Sequence, residues 1–207
     1  MIKKLLLGAA LLTSSAASQA GFIHNITGAD MAGIEVTALF GDGTSETKVW
    51  AANGADSGEA TGTGWTLSQS GITYGQQDNI TDPANPVVLG AWSLVNESIT
   101  AGIIGLSINA SVADVYFDVL GDIEYTLGSS FGRGFYEENN LATAAYADVL
   151  SSPDLFGTMN ITYNKVLLAK NSSRFVSDTD KAIVSEPATA LVFLSGLLAL
   201  VNLRRKS

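Results

Sequence analysis

Between residues 33 and 163 a series of short runs places apolar side chains at every second position, and nowhere does a helical period persist. Ile34, Val36, Ala38 and Phe40 share one face of residues 33–40, with Glu35 and Thr37 on the other. That is the pattern of a half-buried strand. Gly41-Asp42-Gly43-Thr44 supplies turn chemistry, and residues 45–50 return as the hairpin partner. The same reading predicts strands at residues 65–68, 87–95, 99–110, 114–119, 146–148 and 155–163, with Ile104, Leu106 and Ile108 facing inward in the third of these. Residues 51–64 and 75–86 read as loops, and residues 121–140 as the longest irregular stretch. Residues 141–150 also admit a short helix. About eight to ten short strands between Gly, Asp and Asn turns predict an all-β chain, an antiparallel β-sandwich or jelly-roll-like fold. No fixed-period repeat points to a propeller or solenoid.

The polar middle lies between two apolar ends, and its charge narrows the function. Residues 21–184 hold six basic side chains (Lys48, Arg133, Lys165, Lys170, Arg174, Lys181) against nineteen acidic ones, a net charge of −13. Nucleic acid is excluded as a partner, because its phosphates require a basic surface. An anionic membrane face is excluded on the same ground. The chain has no cysteine, so disulfides, thiol chemistry and thiolate metal sites are ruled out.

Met1-Ile2-Lys3-Lys4, an apolar run over residues 5–12 and the ending Ser18-Gln19-Ala20 have the three parts of a secretory signal, with cleavage expected between Ala20 and Gly21. Eight apolar residues are too few to cross a hydrocarbon core of about 30 Å. At the other end, Ser185-Glu186-Pro187 opens an apolar run over residues 188–203, closed by Arg204-Arg205-Lys206. Pro187 suits the first turn of a helix. Sixteen residues rise about 24 Å, a short membrane span, and the basic stop should stay cytoplasmic. The chain is therefore read as a signal peptide (1–20), a β-sandwich ectodomain (21–176), a linker (177–184) and a C-terminal sorting segment with one transmembrane helix (185–207).

The Glu-Pro motif, short apolar helix and basic stop resemble the PEP-CTERM sorting signal, with Ser185 in place of the first Pro. The resemblance implies an exosortase-type processing enzyme as partner, membrane attachment through the helix before processing, and export across the inner membrane. It also implies a destination in the cell envelope, at the cell surface or in an extracellular matrix of exopolysaccharide or biofilm. The middle is similar to uncharacterised PEP-CTERM ectodomains in stretches such as Gly62-Thr63-Gly64-Trp65-Thr66-Leu67-Ser68 and Asp154-Leu155-Phe156-Gly157-Thr158. That similarity implies a secreted β-rich surface protein and carries no activity.

Residue chemistry points away from catalysis. His24 is the one histidine, and a near-terminal imidazole is a poor base for a nucleophilic triad. Carboxylates at Asp118, Asp122 and Glu124, or at Glu137 and Glu138, could in principle form the acid pair of a glycoside hydrolase, the runner-up function. Among nineteen acids, however, such neighbours arise by chance, and a solvated acidic surface is the default. Calcium is the cofactor that hard oxygen ligands on Gly-bearing loops suit, with Asp42, Asp118, Asp122, Asp178 and Asp180 as the named ligands. No EF-hand or nonapeptide spacing selects one set. Trp50, Trp65, Trp92, Tyr74 and Tyr136 are the aromatics available for a sugar platform. A Trp on an alternating strand is more often core. The expectation is a non-enzymatic matrix protein that associates with extracellular polysaccharide. The alternatives are a carbohydrate-active enzyme and a calcium-dependent carbohydrate-binding module.

Overall fold

The structure is a computed structural model, and it describes residues 21–23, 26–73, 91–98, 101–120, 132–151 and 154–183. The chain divides into two compact units, one formed by Phe22–Ala182 and the other by Met1–Gly21 with Ile183–Ser207. The first unit is the β-rich body described below.

Its strands are β1 (Gly21–Ile23), β2 (Glu35–Phe40), β3 (Ser45–Val49), β4 (Ala51–Ala52), β5 (Ser57–Gly62), β6 (Trp65–Ser70) and β7 (Trp92–Asn96). They continue with β8 (Ile103–Asn109), β9 (Val115–Asp118), β10 (Tyr136–Glu137), β11 (Ala142–Ser151), β12 (Leu155–Leu167), β13 (Ser172–Val176) and β14 (Asp178–Ile183). A 3-10 turn over Ser111–Ala113 links β8 to β9, and among the described residues there is no α-helix. One sheet has eight strands in the order β1-β14-β9-β12-β8-β2-β3, with β11 also paired to β12. The other has six, in the order β10-β13-β7-β6-β5-β4. The fold is all-β, two antiparallel sheets in a sandwich-like arrangement, as the alternation predicted.

Both sheets feed one core. Val36, Ala38, Leu106, Ile108 and Phe117 from the first meet Leu67, Trp92, Leu94 and Phe175 from the second. Trp92 is the centre: it stacks on Phe175 at 5.8 Å, lies 5.3 Å from Trp50 and reaches Phe117 of the opposite sheet at 6.4 Å. Each large apolar side chain buried this way contributes about 1.5–3 kcal/mol. Period two follows from the pairing: on β2, Val36, Ala38 and Phe40 enter the core while Glu35 and Leu39 stay exposed.

Four readings change on contact with the structure. Ile104 does not face inward. Phe40 and Leu167 pair with Ile103, while Leu39 and Thr162 pair with Gly105, so both neighbours skip Ile104. It is a bulged residue, 38% exposed, and the bulge lets Ile103 and Leu106 both be buried. Residues 141–150 are not helical, because β11 pairs with β12 from Ala142↔Tyr163 to Ser151↔Leu155. Alanine-rich sequence favours helix locally, and the cross-strand partner overrides it. The stretch read as a loop over residues 51–64 holds β4 and β5, whose inward positions, Gly58 and Ala60, are too small to register as an apolar alternation. The stretch read as a linker, 177–184, contains β14, which pairs with β9.

Candidate functional site

Three of the five residues named as calcium ligands converge. Strand β14 lies antiparallel to β9, so Asp178 is the cross-strand partner of Asp118 and Asp180 that of Tyr116. Alternation then sets Asp118, Asp178 and Asp180 on one face of the pair. Val115, Phe117 and Thr179 take the other face, where Val115 and Phe117 join the core and the Thr179 hydroxyl donates to the Met31 sulfur at 3.7 Å. The three carboxylates are buried, at 0%, 2% and 0% exposure, and one oxygen from each lies within 4.8 Å of the others.

Backbone groups frame part of this cluster. Arg133 N donates to the Asp118 carbonyl at 2.8 Å, and Asp178 N donates to the Arg133 carbonyl at 2.9 Å, so residue 133 bridges the ends of β9 and β14. Gly132 lies against Asp118 so closely that a Cβ there would collide with the carboxylate. The Thr73 hydroxyl reaches Asp178 Oδ1 at 3.4 Å and the Thr179 carbonyl at 3.2 Å. The Arg133 guanidinium sits 5.9 Å above the Tyr136 ring, and burial lowers its pKa from the ordinary arginine value. Three like charges this close in a low-dielectric interior resist simultaneous ionisation. A bound cation is one way to relieve that repulsion. Oxygen-only donors are the class that calcium takes, so the chemistry of the set fits that ion.

A fourth buried carboxylate, Asp154, adjoins this region and was not singled out from sequence. Its carbonyl accepts Val119 N at 3.1 Å, and neither of its carboxylate oxygens has a hydrogen-bond partner among the described residues. It precedes Leu155, the β12 partner of Asp118. No sequence signal marks it, since its burial comes from where β12 begins.

The other named residues lie elsewhere. Asp42 is exposed in the β2–β3 turn, where its carboxylate accepts Thr44 N at 2.9 Å and the Thr44 hydroxyl at 2.6 Å. Those two bonds, the side-chain one first, lower its pKa and define a turn motif, away from the three converging carboxylates. Asp122, Glu124, His24, Tyr74, Ala20, the motif Ser185-Glu186-Pro187 and the stop Arg204-Arg205-Lys206 lie outside the described residues; Gly21 opens β1. Trp50, Trp65 and Trp92 are core, at 1%, 1% and 0% exposure, so none offers a ring face to a sugar. Tyr136 alone of the named aromatics is surface-exposed among the described residues, at 38%. Glu137 is buried and occupied, accepting Asn139 N at 3.0 Å, Leu141 N at 2.7 Å and the Ser173 hydroxyl at 3.2 Å. Its neighbour Glu138 is exposed, so the two carboxylates sit in different environments.

No family model, curated protein or solved structure matches the chain.

Proposed function

We propose that this chain is an exported, non-enzymatic surface or matrix protein with a jelly-roll-like β-sandwich ectodomain, sorted by an exosortase-type system and associated with extracellular polysaccharide. The observation that carries the reading is the C-terminal layout: Ser185-Glu186-Pro187, an apolar run sized for one transmembrane helix, then Arg204-Arg205-Lys206, in a chain that also opens with a signal-like segment. A net charge of −13 over residues 21–184 suits a domain that must stay soluble outside the cell. Support for a non-enzymatic role comes from Glu137, whose carboxylate is committed to backbone N–H groups and a serine hydroxyl.

Mass spectrometry of the exported protein tests this reading. The mature species is expected to begin at Gly21 and to lack the residues after about Pro187. A main species retaining Leu203 to Ser207 would overturn the sorting claim and leave a plain tail anchor.

A calcium-dependent version of the same role is favoured by the approach of Asp118, Asp178 and Asp180 to within 4.8 Å. In this version the ion ties β9 to β14, and so adds stability to the ectodomain outside the cell, where calcium is plentiful. A calcium-specific rise in melting temperature, reversed by chelator, tests it.

A further inference from the structure

The edges of the two sheets are not alike. Strands β4 and β10 are two residues long and β1 is three, too short to template another chain. Strand β3 carries a Glu46–Lys48 ion pair at 3.1 Å, and Glu46 is tied across to Thr63 and Trp65. Charges and short edges are the devices by which β proteins refuse further strands. Strand β11 has neither. It runs ten residues, pairs with β12 alone among the described residues, and bears no charge before Asp148.

The ladder shows which backbone groups this edge presents. Asn164 N donates to the Leu141 carbonyl at 2.8 Å, and on the far side of β12 Ala110 N donates to the Gly157 carbonyl at 2.8 Å. Even-numbered residues of β12 therefore bond to β11 and odd-numbered ones to β8. Ala142, Ala144 and Tyr146 stand opposite Tyr163, Ile161 and Met159, all odd. Their N–H and C=O groups point away from β12, toward the open edge. Thr143 and Ala145, between them, put exposed side chains on the outer face. The flat stretch ends at Asp148, which takes a φ of 57°, and the register shifts between Val149 and Ser151.

We propose that residues 142–147 form a self-association edge at which a second copy of this chain adds its own β11 in antiparallel register. A two-fold axis at Ala144 sets Ala144 against its copy and Ala142 against Tyr146 of the other molecule. All three then exchange N–H···O bonds. The occupant is a second copy because the segment is uncharged and the outward groups of Ala142, Ala144 and Tyr146 pair with the same groups of a copy turned about that axis. Two molecules of −13 each meet with least repulsion where neither carries charge. The result is a sheet continuous through two molecules.

Sedimentation velocity of the exported protein over a wide concentration range tests this, together with amide exchange. The wild type is expected to double in mass as concentration rises, while the Ala142, Ala144 and Tyr146 amides gain protection in parallel. Ala144→Pro removes an outward N–H without touching the β11–β12 ladder and is expected to leave the protein monomeric. The double substitution Thr143→Glu with Ala145→Glu alters two exposed side chains, sets carboxylates opposite one another across the axis, and should do the same. If Ala144→Pro changes the far-ultraviolet spectrum, the double variant decides. A wild type that stays monomeric throughout overturns the proposal. So does a dimer that persists in the double variant, or full protection of the three amides in dilute monomer, which would mean the chain covers its own edge.

Discussion

The Glu46 carboxylate accepts the indole N–H of Trp65 at 2.8 Å, joining edge strand β3 of one sheet to the β5–β6 hairpin of the other. The same carboxylate accepts Thr63 N at 2.8 Å and the Thr63 hydroxyl at 3.1 Å, with Lys48 at 3.1 Å. One side chain thus closes the sandwich along this margin and gives a buried tryptophan its hydrogen-bond partner.

That tie should be visible in acid. Burial pushes the Glu46 pKa up, but the bonds from Thr63 N, Lys48, Trp65 and the Thr63 hydroxyl outweigh it, and the net effect lowers it from 4.5 to about 2. A depressed carboxylate pKa adds stability that is complete above the unfolded value and is lost as pH falls through the folded value. The contribution of Glu46 is therefore present above about pH 4.5 and disappears toward pH 2. Glu46→Gln should lower the melting temperature at neutral pH and flatten the decline across that window. Melting curves from pH 7 to 2 check it, and a variant with the wild-type acid limb would refute the assignment.

A second prediction concerns the floor beneath Trp50. Its indole donates to the Gly28 carbonyl at 2.7 Å, and Gly58 lies against both groups. A Cβ at Gly58 would strike Trp50 Nε1 and the Gly28 carbonyl, one of them backbone that cannot rotate aside. Gly58→Ala should cost about 1–3 kcal/mol by overpacking. Urea unfolding followed by tryptophan fluorescence measures it, and a neutral result would mean β5 can shift away from Trp50.

Trp92 offers the largest single loss. It touches Trp50, Phe117 and Phe175 and donates its indole N–H to the Ser177 carbonyl at 3.3 Å. Trp92→Ala should destabilise by about 3–5 kcal/mol, through lost burial and the cavity left between the sheets. Denaturant titration gives the value directly. A loss below about 1 kcal/mol would be incompatible with a core site this well enclosed.

Much of this fold is legible in the alternation, because one face of each strand is buried and period two records which. Val36, Ala38 and Phe40, Trp65 and Leu67, and Met159, Ile161 and Tyr163 all enter the core as the pattern states. What the pattern hides is cross-strand context. Ile104 looks inward only if the register runs unbroken, and a bulge that exists in both neighbouring pairings resets it. Strand β5 hides because glycine and alanine fill its inward positions, and at Gly58 the Trp50 indole and the Gly28 and Ala51 carbonyls leave no room for a larger side chain. The acidic cluster is half legible. Asp178 and Asp180 share a strand face at i and i+2, but Asp118 joins them only through the β9–β14 pairing, which no local signal announces. Asp42, between Gly41 and Gly43, goes instead to Thr44, a partner two residues away that any Asx turn supplies.

The last prediction turns on the sign of that cluster's electrostatics. Asp118, Asp178 and Asp180 come within 4.8 Å of one another only when β14 pairs with β9, so their repulsion belongs to the folded state. A calcium ion that bridges them binds the native state alone and stabilises it by about 2.7 kcal/mol at a hundredfold excess over its dissociation constant. For a domain of this size that is roughly 5–10 °C in melting temperature. Millimolar calcium should produce such a rise, chelator should reverse it, and magnesium at equal ionic strength should not match it, since it demands tighter octahedral geometry. Asp180→Asn separates the two ways of neutralising the cluster. In chelator the amide removes one like charge and should leave the melting temperature unchanged or higher than wild type. In calcium it removes a ligand and should leave it lower. This crossing is the signature of a cation site, because general screening would move both proteins together. If calcium shifts neither protein, or shifts both equally, the calcium-dependent reading falls.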